Sequence, residues 1–163
     1  MLLLVAVLTL LVAMSGCTSK EEKKAGHLQR ARQFIAQNQF KDAVIELKNV
    51  LQIDPQNGDA HFQLADTYMK LKELDLAAQS YANAAKSDPD NMKAHLKLGR
   101  ILIMARRTMG AKLAARSVLD KFPNNVPALQ LLASAQFQED NLAGAIKTLQ
   151  KAAKNEPRNL QPR

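Results

Sequence analysis

The sequence predicts an all-α fold in which four helix-turn-helix repeats stack into a solenoid of eight helices behind an N-terminal signal peptide. Two observations carry this prediction: a 34-residue internal period and an apolar content dominated by Ala and Leu. Only 4% of the residues are aromatic and none is Trp, although 47% are hydrophobic. Such a composition favours close-packed helices over strands. A length of 163 residues fits one compact domain or one short repeat array.

The period is defined by columns of residues that recur every 34 positions. The columns are Pro55, Pro89, Pro123 and Pro157, then Asn57, Asn91, Asn125 and Asn159, then Ala43, Ala77, Ala111 and Ala145, and finally Ala31, Ala65, Gly99 and Ala133. No gap is needed to align them. They divide the chain into repeats at residues 24–57, 58–91, 92–125 and 126–159.

Each column has a physical role in a stacked pair of helices. The small residues let two antiparallel helices approach closely. Proline ends the second helix because it lacks an N–H donor and disfavours helical geometry at the preceding residue. The following Asn can cap the next helix. One repeat cannot bury its apolar face alone, so the core forms by stacking.

The N-terminus has the pattern of an export signal. Residues 1–16 carry no charge, and the apolar run from Leu2 to Met14 would span about 20 Å as a helix, short of the ~30 Å bilayer core. A signal peptide therefore fits better than a membrane span. The site Met14-Ser15-Gly16-Cys17 resembles the lipobox of bacterial lipoproteins, which implies acylation of Cys17. The alternative is an ordinary cleaved signal with an incidental Cys.

The expected location is the bacterial envelope, facing the periplasm. Residues 17–23 would be the lipidated Cys and a short spacer, and Thr18 permits transfer to the outer membrane where Asp after Cys is the retention signal. No Lys or Arg precedes the apolar run. Residues 160–163 are too short for a capping helix and form a truncated or uncapped tail. We therefore expect the sequence to be a fragment.

The repeat columns resemble those of the tetratricopeptide repeat (TPR) family. The segment from Ala43 to Pro55, AVIELKNVLQIDP, is similar to the first repeat of the TPR lipoproteins of the PEP-CTERM protein-sorting and exopolysaccharide system. That resemblance implies an envelope role in exopolysaccharide export or PEP-CTERM sorting, without catalytic residues. TPR lipoproteins of pilus assembly share the same layout.

The TPR resemblance also implies a binding groove lined by the first helix of each repeat. The residues carried over to it are Arg32, Phe62, Asp66, Met69, Lys93, Leu96, Arg100 and Ile103, and Ile35, Lys70, Met104 and Phe137 stand at the same repeat positions. Mixed apolar and charged groups suit a peptide or helix laid along the groove. The alternative is that several of the apolar residues pack between helices.

The positive charge is concentrated in the third repeat. The chain has a formal charge of +8, and residues 92–125 contain eight basic residues against one acid, so eight minus one gives +7. We predict a basic patch of Lys97, Arg106, Arg107, Lys112 and Arg116 that contacts an acidic partner, anionic lipid or polysaccharide. The alternative is a solvated face. Nucleic acid is not expected as a partner of an exported protein without stacking aromatics.

No constellation of residues favours catalysis or cofactor binding. His27, His61 and His95 are spaced by 34, but equivalent helices lie about 10 Å apart, and a shared metal needs ligands at ~2 Å. A lone Cys excludes an intrachain disulfide, and no phosphate-binding loop occurs among the six glycines. We predict a non-enzyme without metal or cofactor.

The leading hypothesis is a lipid-anchored scaffold that binds a protein or peptide segment of an envelope complex. A second hypothesis is a pilotin-like assembly factor for an outer-membrane secretin or type IV pilus. A third is a soluble periplasmic accessory subunit of an envelope enzyme, in which Cys17 is never acylated.

Overall fold

The computed structural model describes residues 19–155, which form α-helices and contain no strand. In chain order the helices are α1 (Lys20–Ala36), α2 (Phe40–Ile53), α3 (Gly58–Lys70), α4 (Leu74–Ser87), α5 (Met92–Met104), α6 (Thr108–Leu119), α7 (Val126–Gln138) and α8 (Leu142–Asn155). The predicted all-α solenoid of eight helices is confirmed. The predicted signal peptide, Cys17, Thr18, Pro157, Asn159 and the tail at 160–163 lie outside the described residues.

The helices pack in chain order. Consecutive helices form antiparallel hairpins, α1 with α2, α3 with α4, α5 with α6 and α7 with α8, and the second helix of each hairpin contacts the first helix of the next. Each repeat therefore touches its neighbours, as in a solenoid. In the part of the chain that is described, no helix combines the length and hydrophobicity needed to cross a membrane.

The Asn column starts the first helix of three repeats. The side-chain oxygens of Asn57, Asn91 and Asn125 accept hydrogen bonds from the backbone N–H groups of Ala60, Ala94 and Ala128, at 2.9, 3.0 and 3.0 Å respectively. Each cap satisfies a donor that the helix itself leaves unpaired and contributes about 1 kcal/mol. Because these caps are spaced by 34 residues, the first helices start at equivalent positions in each repeat.

The turn inside each hairpin contains one residue with a positive φ angle. These residues are Asn38, Lys72, Arg106 and Asp140, with φ between 55° and 63°, and none is glycine. They are spaced by 34 residues, so the same turn is repeated four times. Left-handed geometry is tolerated by Asn and Asp, but it is strained for Lys and Arg.

Small residues let the helices approach, and larger ones fill the gaps. In the two columns predicted to be small, Ala31, Ala65, Ala43, Ala77 and Ala111 are fully buried. The main core cluster joins α1 through α5 around Leu47, Tyr68 and Tyr81, and a second cluster joins α5, α6 and α7. Leu47 and Tyr81 are among the largest fully buried side chains of the described residues.

Gly99 brings α5 unusually close to α7. A Cβ atom at Gly99 would lie 2.2 Å from Cδ2 of Leu131, far inside van der Waals contact. The helices α5 and α7 accordingly contact each other more extensively than the other consecutive first helices do. The glycine in this otherwise Ala-filled column therefore sets the packing distance at this step of the solenoid.

We expect Gly99→Ala to destabilise the fold, and to do so only while Leu131 is present. Overpacking typically costs about 1–3 kcal/mol, whereas replacing a helical Gly by Ala gains about 1 kcal/mol. In the Leu131→Ala background the clash is absent, so Gly99→Ala is expected to stabilise. A double-mutant cycle measured by urea unfolding checks this change of sign. The same sign in both backgrounds would contradict it.

Candidate functional site

The first helices of three consecutive repeats enclose a groove, which we call the central groove, with a volume of about 910 Å³. Its apolar lining comes mostly from α1, α3 and α5, and consists of Ile35, Ala36, Phe40, Met69, Ile101 and Met104. None of the residues that line it belongs to α7 or α8. Beyond this lining, α5 and α7 pack directly against each other at Gly99.

Basic side chains dominate the charge of the central groove. Arg32, Lys70, Lys97 and Arg100 line it together with one acid, Asp66. Lys97 forms an ion pair with Asp66 at 2.5 Å. The other three are exposed, and none of them forms an ion pair with a described residue. The apolar floor of the groove is thus accompanied by three positive charges, on Arg32, Lys70 and Arg100, that no described acid neutralises in an ion pair.

Asp66 is held at the groove by a cluster of four side chains, Phe62, Asp66, Tyr81 and Lys97, here called the Asp66 cluster. The Tyr81 hydroxyl and the Lys97 ammonium both donate to Oδ1 of Asp66. The Phe62 ring meets the Tyr81 ring edge-on, with centroids 5.6 Å apart. Lys97 Nζ lies 5.3 Å from the Phe62 centroid and 5.7 Å from that of Tyr81. Ion pairing, aromatic packing and cation–π attraction together fix Lys97 in place.

Tyr81 acts in this cluster as a permanent hydrogen-bond donor. Burial raises the pKa of Tyr81 well above its usual value, and the hydrogen bond to the Asp66 carboxylate raises it further. Both effects disfavour a phenolate beside an existing negative charge. The hydroxyl therefore keeps its proton at neutral pH and orients Asp66.

The residues carried over from the TPR pattern separate into two groups. Arg32, Asp66, Met69 and Arg100 line the central groove, as do Ile35, Lys70 and Met104 at the same repeat positions. The other four residues lie outside the lining: Phe62 packs on Tyr81, Leu96 and Ile103 pack against the second core cluster, and Lys93 is exposed in the first turn of α5.

For Leu96 and Ile103 the reason is the approach of α5 to α7. Leu131 and Ala135 of α7 belong to the cluster against which Leu96 and Ile103 pack. In addition, the Gln138 side chain donates to the Ile103 carbonyl at 3.0 Å. Because of these contacts, the side of α5 that carries Leu96 and Ile103 packs against α7 and does not line the central groove.

Six lining residues were predicted from the sequence neither for the groove nor for the basic patch, namely Ala36, Phe40, Gln63, Thr67, Tyr81 and Ile101. Gln63 and Lys97 share one repeat position, and Thr67 and Ile101 share another, so the lining face of the first helices is wider than the TPR pattern implied. Tyr81 comes from a second helix. It shares its repeat column with Leu47, Ala115 and Leu149, and its hydroxyl reaches Asp66 in the groove.

The residues of the predicted basic patch lie in separate environments. Lys97 belongs to the central groove, and Lys112 donates to Glu139 of the next repeat at 2.8 Å. Hydrogen bonds from Lys112 and Thr108 hold the pKa of Glu139 below its usual value. Arg106, Arg107 and Arg116 are exposed, and no described residue forms an ion pair with them. Acids of neighbouring repeats thus offset part of the third repeat's charge.

Two of the three periodic histidines tie consecutive repeats together. Nε2–H of His61 donates to the Pro55 carbonyl at 2.9 Å, and that of His95 donates to the Pro89 carbonyl at 3.1 Å. His27 instead lies 2.6 Å from a carboxylate oxygen of Glu46. Within residues 19–155 no group of three or more His, Cys, Asp or Glu side chains is arranged to hold a metal ion.

Residues 21–161 match the family model described as the cytochrome c-type biogenesis protein H TPR domain. No curated protein sequence matches the chain.

Several solved structures are similar in fold. A structure of MamA, residues 41 to the end, from Desulfovibrio magneticus RS-1 is 18% identical with a TM-score of 0.74, covering 83% of this chain and 77% of that one. YrrB, described as a TPR protein with an unusual peptide-binding site, is 18% identical with a TM-score of 0.73, covering 84% and 71%. Pseudomonas aeruginosa pilF is 22% identical with a TM-score of 0.65, covering 85% and 64%. At these identities the likeness shows the fold.

Proposed function

Because the chain belongs to the family of cytochrome c-type biogenesis protein H TPR domains, we propose that its central groove binds a peptide segment of an envelope complex. TPR domains bind protein or peptide partners, and YrrB is described as having a peptide-binding site. The observation that carries the proposal is the apolar floor beneath Arg32, Lys70 and Arg100. It favours a segment with apolar side chains on one side and acidic side chains on the other.

We further propose that this scaffold is lipid-anchored through Cys17 and faces the periplasm, at the outer membrane. The lipobox-like sequence supports the anchor, and an anchor of two or more acyl chains holds a protein stably on a membrane. The resemblance of residues 43–55 to PEP-CTERM lipoproteins supports a role in exopolysaccharide export or protein sorting. Binding then requires neither catalysis nor a cofactor.

Two observations favour alternative pathways for the same groove. The layout that the sequence shares with TPR lipoproteins of pilus assembly supports a pilotin-like role in assembling a secretin or type IV pilus. The family description supports a role in cytochrome c biogenesis. A soluble periplasmic accessory subunit is the remaining alternative, and it requires that Cys17 stay unmodified.

The groove is tested by in-cell photo-crosslinking from Met104, which lines it and is 61% exposed. Arg100→Glu is expected to lower capture of a discrete protein by about tenfold or more, because it places a negative charge opposite an acidic segment; tenfold is about 1.4 kcal/mol. The control is Arg116→Glu, an equal charge change on an exposed residue of α6 outside the groove. Equal loss in both variants, or none in either, would contradict groove binding.

Cys17→Ala separates the anchor from the groove in the same experiment. If the chain is acylated, this variant is expected to leave the membrane fraction while its groove contacts remain intact. A native chain that fractionates as a soluble protein, like Cys17→Ala, would support the accessory-subunit alternative instead.

A further inference from the structure

One ion pair of the described chain lies in the central groove. Asp66 of α3 and Lys97 of α5 both line the groove, and their side chains are 41% and 45% exposed. The other described ion pairs join residues that are absent from the groove lining. A segment bound in the groove can therefore reach both members of this pair.

The pair retains hydrogen-bonding groups that the described chain does not use. The Tyr81 hydroxyl and Lys97 Nζ both donate to Oδ1 of Asp66, and no described residue donates to Oδ2. A carboxylate oxygen accepts hydrogen bonds readily, so Oδ2 is a free acceptor. The ammonium group of Lys97 has more donors than the single hydrogen bond that it makes to a described residue. A free acceptor and free donors thus lie side by side within one ion pair.

The position of the pair is fixed before any ligand binds. Oδ1 of Asp66 lies 2.5 Å from Lys97 Nζ, and Nζ also lies within cation–π distance of the Phe62 and Tyr81 rings. The Tyr81 hydroxyl holds the carboxylate as a donor. Because these groups are already ordered, a ligand that uses them loses less conformational entropy on binding.

The charges of the pair determine which ligand group fits it. A ligand carboxylate beside Lys97 would also face Asp66, and a ligand ammonium beside Asp66 would also face Lys97. Each would combine an attraction with a repulsion. A neutral amide has a carbonyl oxygen that accepts from Lys97 and N–H groups that donate to Asp66. The pair is therefore complementary to an uncharged group that has both functions.

An amide side chain fits the pair better than a main-chain peptide unit does. In a trans peptide the C=O and N–H bonds point in opposite directions, so one unit offers only one of them to the pair. The primary amide of Asn or Gln carries its oxygen and its NH₂ group on one carbon, and one edge presents both. These side chains use that edge when they bind adenine through two hydrogen bonds.

We propose, on the basis of the function proposed for the central groove, that Asp66 and Lys97 together recognise the side chain of an Asn or Gln in the bound peptide. In this amide site, the amide oxygen accepts from Lys97 Nζ and the NH₂ group donates to Oδ2 of Asp66. Arg32, Lys70 and Arg100 line the same groove and pair with acidic side chains of the peptide. The recognised segment therefore combines apolar, acidic and amide side chains.

The test begins with phage-displayed random peptides selected on the purified native chain. Selected peptides are expected to contain an Asn or Gln among acidic and apolar residues. One of them is then synthesised with Gln, Leu, Glu or Lys at the amide position, and binding is measured by fluorescence anisotropy. The Gln peptide is expected to bind about tenfold or more tightly than each of the others, because only its side chain satisfies both members of the pair.

Two variants are expected to change the order of preference. Lys97→Met leaves the Asp66 carboxylate unpaired, so the Lys peptide becomes the tighter of the two charged peptides; Asp66→Asn leaves Lys97 unpaired, so the Glu peptide does. Both side chains are nearly half exposed, so both variants are expected to fold, which circular dichroism checks. The matched controls, Lys121→Met and Asp90→Asn, break an ion pair outside the groove and are expected to leave the Gln preference unchanged.

Failure of the amide site and failure of the groove give different results. Selected peptides without Asn or Gln, or equal binding of the Gln and Leu peptides, would overturn the amide site, and the groove stands if Arg100→Glu still abolishes binding. A Gln preference that persists in Lys97→Met and Asp66→Asn would also overturn the amide site, because the amide is then bound elsewhere. Selection of no peptide, or of peptides whose binding Arg100→Glu leaves unchanged, would overturn both.

Discussion

Replacing Tyr81 with alanine is expected to lower the free energy of unfolding by about 3–5 kcal/mol, the usual cost of removing a large buried aromatic side chain. Tyr81 is 1% exposed and lies in the core cluster that joins α1 through α5. Its ring also supports Phe62 and Lys97. The substitution therefore creates a cavity in the middle of the array and loosens the floor of the central groove.

The matched variant is Tyr81→Phe, which keeps the ring and removes only the hydroxyl. It is expected to cost about 1 kcal/mol, because Asp66 loses one hydrogen bond and retains Lys97. Urea unfolding followed by circular dichroism measures both changes. Equal destabilisation by the two variants would mean that the hydrogen bond, and not ring packing, dominates at this position.

Replacing Leu47 with alanine is expected to destabilise the fold by about 2–5 kcal/mol, whereas the same change at Leu149 is expected to cost less than about 0.5 kcal/mol. The two residues occupy one column of the repeat. Leu47 is fully buried where α2 meets α3, and Leu149 is 48% exposed on α8. Because both substitutions are Leu→Ala in one repeat column, the difference between their free energies of unfolding measures the effect of a covering helix.

The comparison is made by urea unfolding of the purified chain, with hydrogen exchange to locate the weakened helices. A large cost at Leu149 would mean that this side of α8 is already covered in solution. A second measurement at low protein concentration then distinguishes self-association from coverage within one chain, since only the former depends on concentration.

The fold could be predicted from sequence because its determinants recur at fixed positions. The Ala columns mark close helix contacts, and each Asn that was expected to cap a helix within the described region does so. These features depend on local chemistry and on packing that is repeated in every hairpin. A single repeat observed in sequence therefore carries information about all the others.

The groove was less predictable because its shape depends on departures from the repeat. Gly99 differs from the Ala at its column positions by one methyl group, yet it permits the close approach of Leu131 of α7 to α5. The same approach places Leu96 and Ile103 in the core. When Gly and Ala are grouped as equivalent small residues of one repeat column, this difference in helix spacing is not predicted.

The charge environment of the third repeat was harder to predict for a related reason. Counting by repeat assigned Lys97 and Lys112 to a basic patch, but both pair with acids of neighbouring repeats, Asp66 and Glu139. In a solenoid the nearest charges to a side chain often belong to the preceding or following unit. The net charge counted within one repeat therefore overstates the positive electrostatic potential at the surface of that repeat.

The four left-handed turns contain backbone strain at sites remote from the central groove, and relieving that strain would stabilise the fold. At Lys72 and Arg106 the positive φ angle costs about 1–2 kcal/mol that glycine would avoid. Both side chains are exposed, and neither is in the lining of the central groove. Glycine at these two positions can therefore stabilise the scaffold at its hairpin tips without altering the central groove.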